Sequence, residues 1–220
     1  AQSLAGGETI NESFTVTATT ADGESVSQIV TVTVTGAEDA PVITGTASGA
    51  VTEDATLVAT GSLSATDPDA IDTPTFTAQT GTAGSFGSFD ISAAGDWTYT
   101  LDNAAAQSLN DGQIVTENFT VTATTADGES VTRSVSITVT GSSDGPVIDL
   151  DSDDSTAPGN NYAVTFTEGG SAAFIADVDI SITDVDSTSI NSATITINSV
   201  ESGDLLSVGG LPPSITASAY

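Results

Sequence analysis

The sequence predicts an all-β protein built from antiparallel β-sandwich modules in a linear array. Apolar residues alternate with Thr or Ser at a period of two, as in FTVTA (119–123) and VSITVT (135–140). Turn pairs containing Asp and Gly separate such segments, at 22–23, 95–96, 111–112 and 127–128. Short strands with one buried face, separated by tight turns, are typical of immunoglobulin-like sandwiches. A long internal repeat indicates that the sandwich occurs more than once.

The repeat defines the predicted module boundaries. Residues 1–36 align without a gap on residues 106–141, and FTVTATTADGES is identical at 14–25 and 119–130. The offset of 105 residues suits a small autonomous domain rather than one turn of a solenoid. We therefore predict that 1–36 are the C-terminal strands of a truncated module and that 37–141 are a complete module.

The last segment begins like the complete module. TGSSDGPVI at 140–148 mirrors TGAEDAPVI at 35–43, so both strings mark a module junction. The residues that follow are not a copy of the preceding module and contain an acidic insertion. We predict a second, related sandwich module over 142–220, truncated at its C-terminus. The alternation predicts further strands over 75–78, 96–101 and 193–197.

The aromatic residues of the complete module are assigned to its core rather than to a sugar-binding platform. The assigned core residues are Phe76, Phe86, Phe89, Trp97 and Phe119. A cluster of exposed aromatic side chains on one face would instead favour direct ligand binding. The candidates for such a face are Tyr99, Tyr162 and Trp97.

Composition excludes several classes of partner. The chain has 30 acidic residues, one basic residue (Arg133) and no His, which gives a formal net charge of −29. Because it cannot neutralise phosphates, we expect no nucleic-acid partner and no docking on anionic lipid. The chain has no Cys, so disulfides do not stabilise it. No apolar run approaches the roughly 20 residues of a transmembrane helix, so no membrane insertion is expected.

The residues also give no indication of catalysis. His, Cys and Lys are absent and no Gly-x-Ser-x-Gly string occurs, so the usual nucleophile and base pairs are missing. Two carboxylates could cleave a glycoside, but the acidic residues recur at module edges instead. We predict that the chain is not an enzyme.

Acidic residues recur in one order along the complete module and the segment after it. In the complete module the order is Glu38-Asp39, Glu53, Asp67-Pro-Asp69, Asp102 and Asp127, and the later segment repeats part of it with Asp144, Glu168 and Asp184-Val-Asp186. Asp-x-Asp in an extended segment directs two carboxylates to one side. Ca²⁺ takes about six to eight oxygen ligands in flexible geometry, whereas Zn²⁺ prefers His and Cys. This order favours Ca²⁺; an acidic coat for solubility is the alternative.

These strings resemble the cadherin-like modules of large bacterial surface proteins, and 37–141 resemble a VCBS repeat. The resemblance is carried by VTEDATLVATGSLSATDPDA (51–70), GDWTYTLDNAAAQSLNDGQ (95–113), FTVTATTADGES (119–130) and TVTGAEDAP (33–41). It covers 1–141 as VCBS-type sequence and 142–220 as another cadherin-like module. In cadherin repeats calcium ions lie between successive modules.

The resemblance implies two calcium clusters. The first cluster joins the truncated first module to the complete module and consists of Glu38, Asp39, Asp67, Asp69 and Asp127. The second cluster joins the complete module to the third and consists of Glu53, Asp102, Asp144, Asp184 and Asp186. The sequence departs from the family pattern in three ways: Ala104 replaces a Glu, Thr125 stands where VCBS repeats often have Asp, and the linkers have Glu38-Asp39 and Ser143-Asp144 in place of Asn residues. We expect dissociation constants on the order of 10⁻⁴–10⁻³ M, as in other extracellular modules.

The acidic insertion of the last segment is either an additional ion site or a solvated loop. Its acidic residues are Asp149, Asp151, Asp153 and Asp154. It lacks the Gly and the distal Glu of an EF-hand loop. We interpret the nearby Asp177-Val-Asp179 as a solvated pair at a strand edge.

From these features we expect a structural extender segment of a secreted cell-surface adhesin, stiffened by Ca²⁺ at its module junctions. The resemblance implies export to the surface of a Gram-negative bacterium and a role in adhesion or biofilms. The expected partners are neighbouring modules of the same chain and a host or surface ligand bound by a tip outside this segment. Two alternatives stay open. One is a filament or surface-layer subunit with homotypic contacts made by strand addition, and the other is a carbohydrate- or protein-binding module.

Overall fold

The structure, a computed structural model, describes residues 3–69, 73–196, 198 and 199. The regular secondary structure of the described chain is almost entirely β, which confirms the predicted all-β class. The first segment forms one hairpin, β1 (Thr9–Thr19) and β2 (Ser25–Thr35). The complete module contains β3 (Val42–Gly45), β4 (Ser48–Thr52), β5 (Val58–Thr66), β6 (Thr75–Phe76), β7 (Gln79–Ala83), β8 (Gly87–Ile91), β9 (Asp96–Leu101), α1 (Asn103–Ala106), β10 (Ile114–Thr124) and β11 (Ser130–Thr140). The last segment contains β12 (Val147–Asp149) and β13 (Ser181–Thr183).

The complete module is a sandwich of two sheets. One sheet has the order β4-β11-β10-β6 and the other the order β3-β5-β9-β8-β7. Alternate residues of β10 and β11 are buried, because a period of two places them on the inner face of a pleated strand. The rings of Phe89 on β8 and Phe119 on β10 stack across the interface, with centroids 4.8 Å apart.

The predicted aromatic core is confirmed. Phe76, Phe89, Trp97 and Phe119 are buried, and Phe86 is partly buried against them. Tyr99, a candidate for an exposed surface, also lies in the core and has no exposed area. The burial of Tyr99 and Trp97 removes two of the three side chains that a direct ligand-binding face required.

One strand pair differs from the antiparallel prediction. β4 pairs in parallel with β11, from Ser48 opposite Ser136 to Thr52 opposite Thr140. The chain leaves β3 in the five-stranded sheet and enters β4 in the other sheet after only two residues. Gly45, with φ +99°, adopts the left-handed region at this change of sheet, a conformation that Gly populates without steric cost. The chain therefore crosses to the opposite sheet without a hairpin turn.

The hairpin β1–β2 has the same register as β10–β11. Thr9 pairs with Thr35 in the first hairpin and Ile114 with Thr140 in the second, and every later pair keeps this correspondence. The Asp-Gly turns that close the two hairpins both place Gly at positive φ, at 23 and 128. The predicted turns at 95–96 and 111–112 likewise contain Gly residues with positive φ.

Three local predictions need correction. The predicted strand at 75–78 is only Thr75–Phe76, because two residues pair with the end of β10. The predicted strand at 193–197 does not form at 193–196, where no described strand lies beside it, and residue 197 is outside the described residues. The helix α1 was not predicted, because the sequence shows no helical periodicity. Its four residues depend on the side chain of Asp102, which accepts hydrogen bonds from Ala104 and Ala105.

In the last segment the described residues contain one short antiparallel pair, β12 with β13. The assignment of 142–220 to a second sandwich module stays a prediction. None of the described helices has the length and apolar character that crossing a membrane requires.

Candidate metal centres

The first cluster is organised by main-chain hydrogen bonds to carboxylates. The N–H of Asp39, in the linker before β3, donates to Oδ2 of Asp69 at 3.0 Å. The N–H of Asp69 donates to Oδ1 of Asp67 at 2.9 Å, which closes the Asp-Pro-Asp turn. Each aspartate thus uses one carboxylate oxygen to hold the backbone and keeps the other available for a ligand.

The two remaining oxygens of this turn are buried without a hydrogen-bond partner among the described residues. They are Oδ2 of Asp67 and Oδ1 of Asp69. Asp69 is only 1% exposed. Burying an ionised oxygen without a partner carries a large cost in free energy. These atoms therefore mark a position where a cation would be stabilising.

Glu38 and Asp127 complete the predicted first cluster. Their carboxyl groups share a hydrogen bond, and this bond is the main cause that raises the pKa of Glu38 to about 7. The hydroxyl of Thr125 donates to Asp127 and is the main cause that lowers the pKa of Asp127. The carboxylate of Glu38 also lies against Gly6, in the loop before β1. The cluster thus touches the first segment as well as the complete module.

Glu129 belongs to the same group and was missed by sequence reasoning. Burial is the largest cause that raises the pKa of Glu129. The negative charges of Asp127, Asp67, Asp69 and Asp39 raise it further. All four charges therefore act on one side chain. The available signal was its position two residues after Asp127 in the ADGE turn, next to a residue that the sequence did assign to the cluster.

The second cluster is built around a buried glutamate. Glu53 has no exposed area. Its carboxylate accepts hydrogen bonds from the N–H of Ser142 at 3.0 Å and from Nε2 of Gln107 at 2.6 Å. Ser142 lies in the linker after β11. Glu53 therefore attaches this linker to the end of the complete module.

Asp54 is a second residue that the sequence did not identify. Its φ is +56°, which is uncommon for a residue other than Gly. Asn103 holds this conformation: its Oδ1 accepts from the N–H of Asp54 at 2.9 Å, and its Nδ2 donates to Oδ1 of Asp54 at 2.6 Å. Carboxylate oxygens of Glu53, Asp54 and Asp144 lie within 4.8 Å of one another.

Asp144, Asp184 and Asp186 repeat the arrangement of the first cluster. The N–H of Asp144 donates to Oδ2 of Asp186 at 3.3 Å, and the N–H of Asp186 donates to Oδ1 of Asp184 at 3.3 Å. Oδ2 of Asp144 is buried without a partner in the described part of the chain. A hydrogen bond between the carboxyl groups lowers the pKa of Asp184 and raises that of Asp186.

Asp102 does not join the second cluster. Its exposed side chain caps α1 by accepting from the N–H groups of Ala104 at 3.1 Å and Ala105 at 3.4 Å. Its neighbour Asn103 instead contacts Asp54. The structure thus brings Glu53 and Asp144 together, and connects Asp184 and Asp186 to them through the linker amide.

The acidic insertion forms a third cluster that contains both predicted and unexpected residues. Oxygens of Asp151, Asp153, Asp177 and Asp179 lie within 4.8 Å of one another, and Asp149 accepts from the N–H of Asp151 at 3.1 Å. The hydroxyl of Thr156 is the main cause that lowers the pKa of Asp151, and neighbouring main-chain N–H groups add to this effect.

The interpretation of Asp177 and Asp179 as a solvated strand-edge pair is wrong. Both residues are half-buried, and Oδ1 of Asp179 is buried with no partner in the residues described. The N–H of Asp177 donates to the carbonyl of Leu150 at 2.9 Å, which folds this segment onto the insertion. Whether the insertion of Asp149, Asp151 and Asp153 binds an ion stays a prediction.

One part of the chain matches a known protein family. Residues 38–141, slightly less than half of the chain, match the sequence model of the family described as bacterial cadherin-like domain. No curated protein matches the chain. The crystal structure of Drosophila N-cadherin EC1-4 is similar at 16% identity, over 68% of this chain and 38% of that chain, with a TM-score of 0.37. The aligned region thus spans well under half the length of that structure.

Proposed function

We propose that the bacterial cadherin-like domain at 38–141 is part of an extender segment of a secreted surface adhesin, stiffened by Ca²⁺ at its junctions. Cadherin-like domains are usually extracellular modules that contact neighbouring domains or ligands. The observation that carries the proposal is Asp69, which is buried and holds the linker through Oδ2 while Oδ1 lacks a partner among the described residues. A bound cation would supply that partner.

The donors around Asp69 suit calcium. They are hard oxygen atoms of carboxylates, and the chain contains no His or Cys. Ca²⁺ accepts such ligands at variable geometry, whereas Zn²⁺ prefers nitrogen and sulfur. The ion would be held in the first cluster by Glu38, Asp39, Asp67, Asp69, Asp127 and the additional Glu129. In the second cluster the candidate ligands are Glu53, Asp54, Asp144, Asp184 and Asp186.

Stiffening follows from where these side chains lie. Asp39 and Asp144 are in linkers, whereas Asp69 and Asp186 are in the turns that hold those linkers. Without a cation, the clustered carboxylates repel one another and weaken the attachment of each linker. A bound cation supplies positive charge that offsets this repulsion. The direction of the linker relative to its module would then be held by ligands on both sides.

The proposal includes the modular array. In it, 1–36 are the C-terminal strands of a VCBS-type module, 37–141 are the complete module and 142–220 are a second cadherin-like module. The same proposal includes bound Ca²⁺, export by a Gram-negative bacterium and a ligand bound by a tip outside this segment. It also includes the absence of enzymatic activity. A filament or surface-layer subunit is the second candidate. It is favoured by the exposed apolar side chains of β1 and β2.

Thermal melting of the full chain with Ca²⁺, with Mg²⁺ and with chelator tests the proposal, combined with small-angle scattering. We expect a rise in Tm and an extension of the particle that are specific to Ca²⁺. Mg²⁺ at the same concentration is the matched control for screening of the negative charge. Coincident melting curves and scattering profiles in all three conditions would contradict the proposal and leave the acidic residues as a coat for solubility.

A further inference from the structure

We infer that the hairpin β1–β2 is a docking surface for the body of a separate sandwich module of the same type as residues 37–105. The inference rests on an internal template, because β10–β11 has the same register and lies docked on such a body in the same chain. It does not depend on cation binding. The template shows which positions of the hairpin are buried when a body is present.

The apolar face of β1–β2 corresponds position by position to a buried face. Phe119, Val121, Val135 and Ile137 are at most 5% exposed in the complete module. Their counterparts at an offset of 105 residues are Phe14, Val16, Val30 and Val32, which are 51%, 57%, 47% and 43% exposed. A two-stranded hairpin with such a face is only marginally stable in water, so covering this face would stabilise it.

A polar position makes the docking surface specific. Glu117, in the middle of the buried face of β10, accepts hydrogen bonds from the hydroxyl of Tyr99 at 2.6 Å and from the N–H groups of Ser85 and Phe86. The hairpin has the same acid at the corresponding position, Glu12, which is exposed. A body with a tyrosine hydroxyl and loop amides at these positions would satisfy Glu12, whereas a purely apolar partner would bury it without donors.

The outer edges of the two strands β1 and β2 are also suited to pairing with strands of such a body. In the complete module, β11 pairs with β4 at 136–140 and β10 pairs with β6 at 123–124. The corresponding edges, at 31–35 and 18–19, pair with no further strand in the described chain. A body of this type supplies both strands. The body at 37–105 is already covered by β10 and β11, so the partner of the hairpin is a different body.

The test uses the full chain and an isotope-labelled fragment of residues 37–105 as the probe. We expect a complex of one chain with one fragment by size exclusion with light scattering, and dispersed amide signals from the bound fragment. Phe14→Asp places a charge on the inner face and is expected to weaken binding by more than about tenfold. Thr15→Asp, on the opposite face of the same strand, is the matched control and should bind the fragment as the unmodified chain does. Glu12→Gln should weaken binding less than Phe14→Asp.

The remaining outcomes contradict the inference. Absence of a complex with a fragment that does bind a peptide of residues 106–141, its own hairpin, would show that β1–β2 does not dock a body of this type. Binding that is unchanged by Phe14→Asp would mean that the fragment exchanges into β10–β11 or associates without specificity. Self-association of the chain without fragment, abolished by Phe14→Asp, would identify a second copy as the occupant and would favour the filament alternative.

Discussion

The main-chain N–H of Asp39 donates to Oδ2 of Asp69 across a sequence separation of 30 residues. The same relationship joins Asp144 to Asp186, at a separation of 42 residues. In both cases a linker amide is held by the second aspartate of an Asp-x-Asp turn, whose own N–H is bound by the first aspartate. The two linkers are therefore held by the same local arrangement, although the sequences between the paired residues differ.

Asp69→Asn tests the first cluster. The amide keeps an oxygen for the N–H of Asp39 but removes one negative charge from the cluster. In chelator we expect a Tm equal to or above that of the unmodified chain, because repulsion falls. With Ca²⁺ we expect the rise in Tm to shrink by about half or more, because carboxylates are the preferred ligands.

Differential scanning calorimetry at several Ca²⁺ concentrations measures this effect. Asp96→Asn, at an exposed position on β9, removes the same charge outside the clusters and is the matched control. An identical Ca²⁺ response in both variants would exclude Asp69 as a ligand.

Glu129→Gln tests the residue that sequence reasoning missed. Burial and then the charges of four aspartates raise the pKa of Glu129, so removing its charge should stabilise the chain in chelator and reduce the affinity for Ca²⁺. Isothermal titration with Ca²⁺ measures the affinity, and urea unfolding in chelator measures the stability. The homologous substitution Glu24→Gln in the exposed turn of β1–β2 serves as the control. Equal effects of the two substitutions would argue against a role for Glu129 in the first cluster.

Glu53→Ala tests the second junction. The substitution removes the acceptor for the N–H of Ser142 and for Gln107. Loss of a buried acceptor should lower the free energy of unfolding by about 1–3 kcal/mol, even in chelator. Glu53→Gln keeps an acceptor oxygen and should lose less stability while still reducing the Ca²⁺ response. Urea unfolding of the three proteins in chelator separates the structural contribution from the ligand role. A loss in Glu53→Gln as large as in Glu53→Ala would show that the charge itself stabilises the junction.

Tyr99→Phe tests the polar contact in the core. Burial, followed by the hydrogen bond to Glu117, raises the pKa of Tyr99 above its usual value. The folded chain therefore holds this proton to higher pH than the unfolded chain. The stability from Tyr99 is complete below the unfolded pKa of about 10 and is lost as the pH rises through the higher folded value.

The unmodified chain should accordingly lose stability above about pH 10, and Tyr99→Phe should lose less over the same range. At neutral pH the variant should be less stable by about 1–3 kcal/mol, because Glu117 loses a buried donor. Urea midpoints at a series of alkaline pH values measure both effects. Tyr162→Phe, in the last segment, is the control and should keep the alkaline loss. The same alkaline slope in Tyr99→Phe and the unmodified chain would contradict the assignment.

Much of the fold was predictable because its signals are local. Alternation identified β10 and β11, the Asp-Gly pairs identified their turns, and the aromatic residues of the core were correctly assigned. The pairing of β4 in parallel with β11 was not predictable in this way. A strand carries the same alternation whichever sheet it joins and whichever direction its neighbour runs, so the pattern does not identify the neighbour.

The candidate metal sites were likewise predictable only in part. The Asp-x-Asp strings and the linker aspartates were visible as motifs, and the structure connects them by hydrogen bonds. Asp54 and Glu129 were missed, and Asp102 was assigned to a group that it does not join. Their positions depend on how a turn folds and on what packs against it, including the contact of Asn103 with Asp54.

The sequence by itself determined the all-β class, the 105-residue repeat and the inner faces of the strands, since each depends on the spacing of residues along one segment. The tertiary structure decided which carboxylates converge, which oxygens are buried without a partner in the described residues, and which of the two related hairpins is covered. Residues 14–25 and 119–130 are the same string, yet Phe14 and Val16 are exposed whereas Phe119 and Val121 are buried. Burial is a property of what packs against a strand, and a strand's own residues do not specify whether that partner is present.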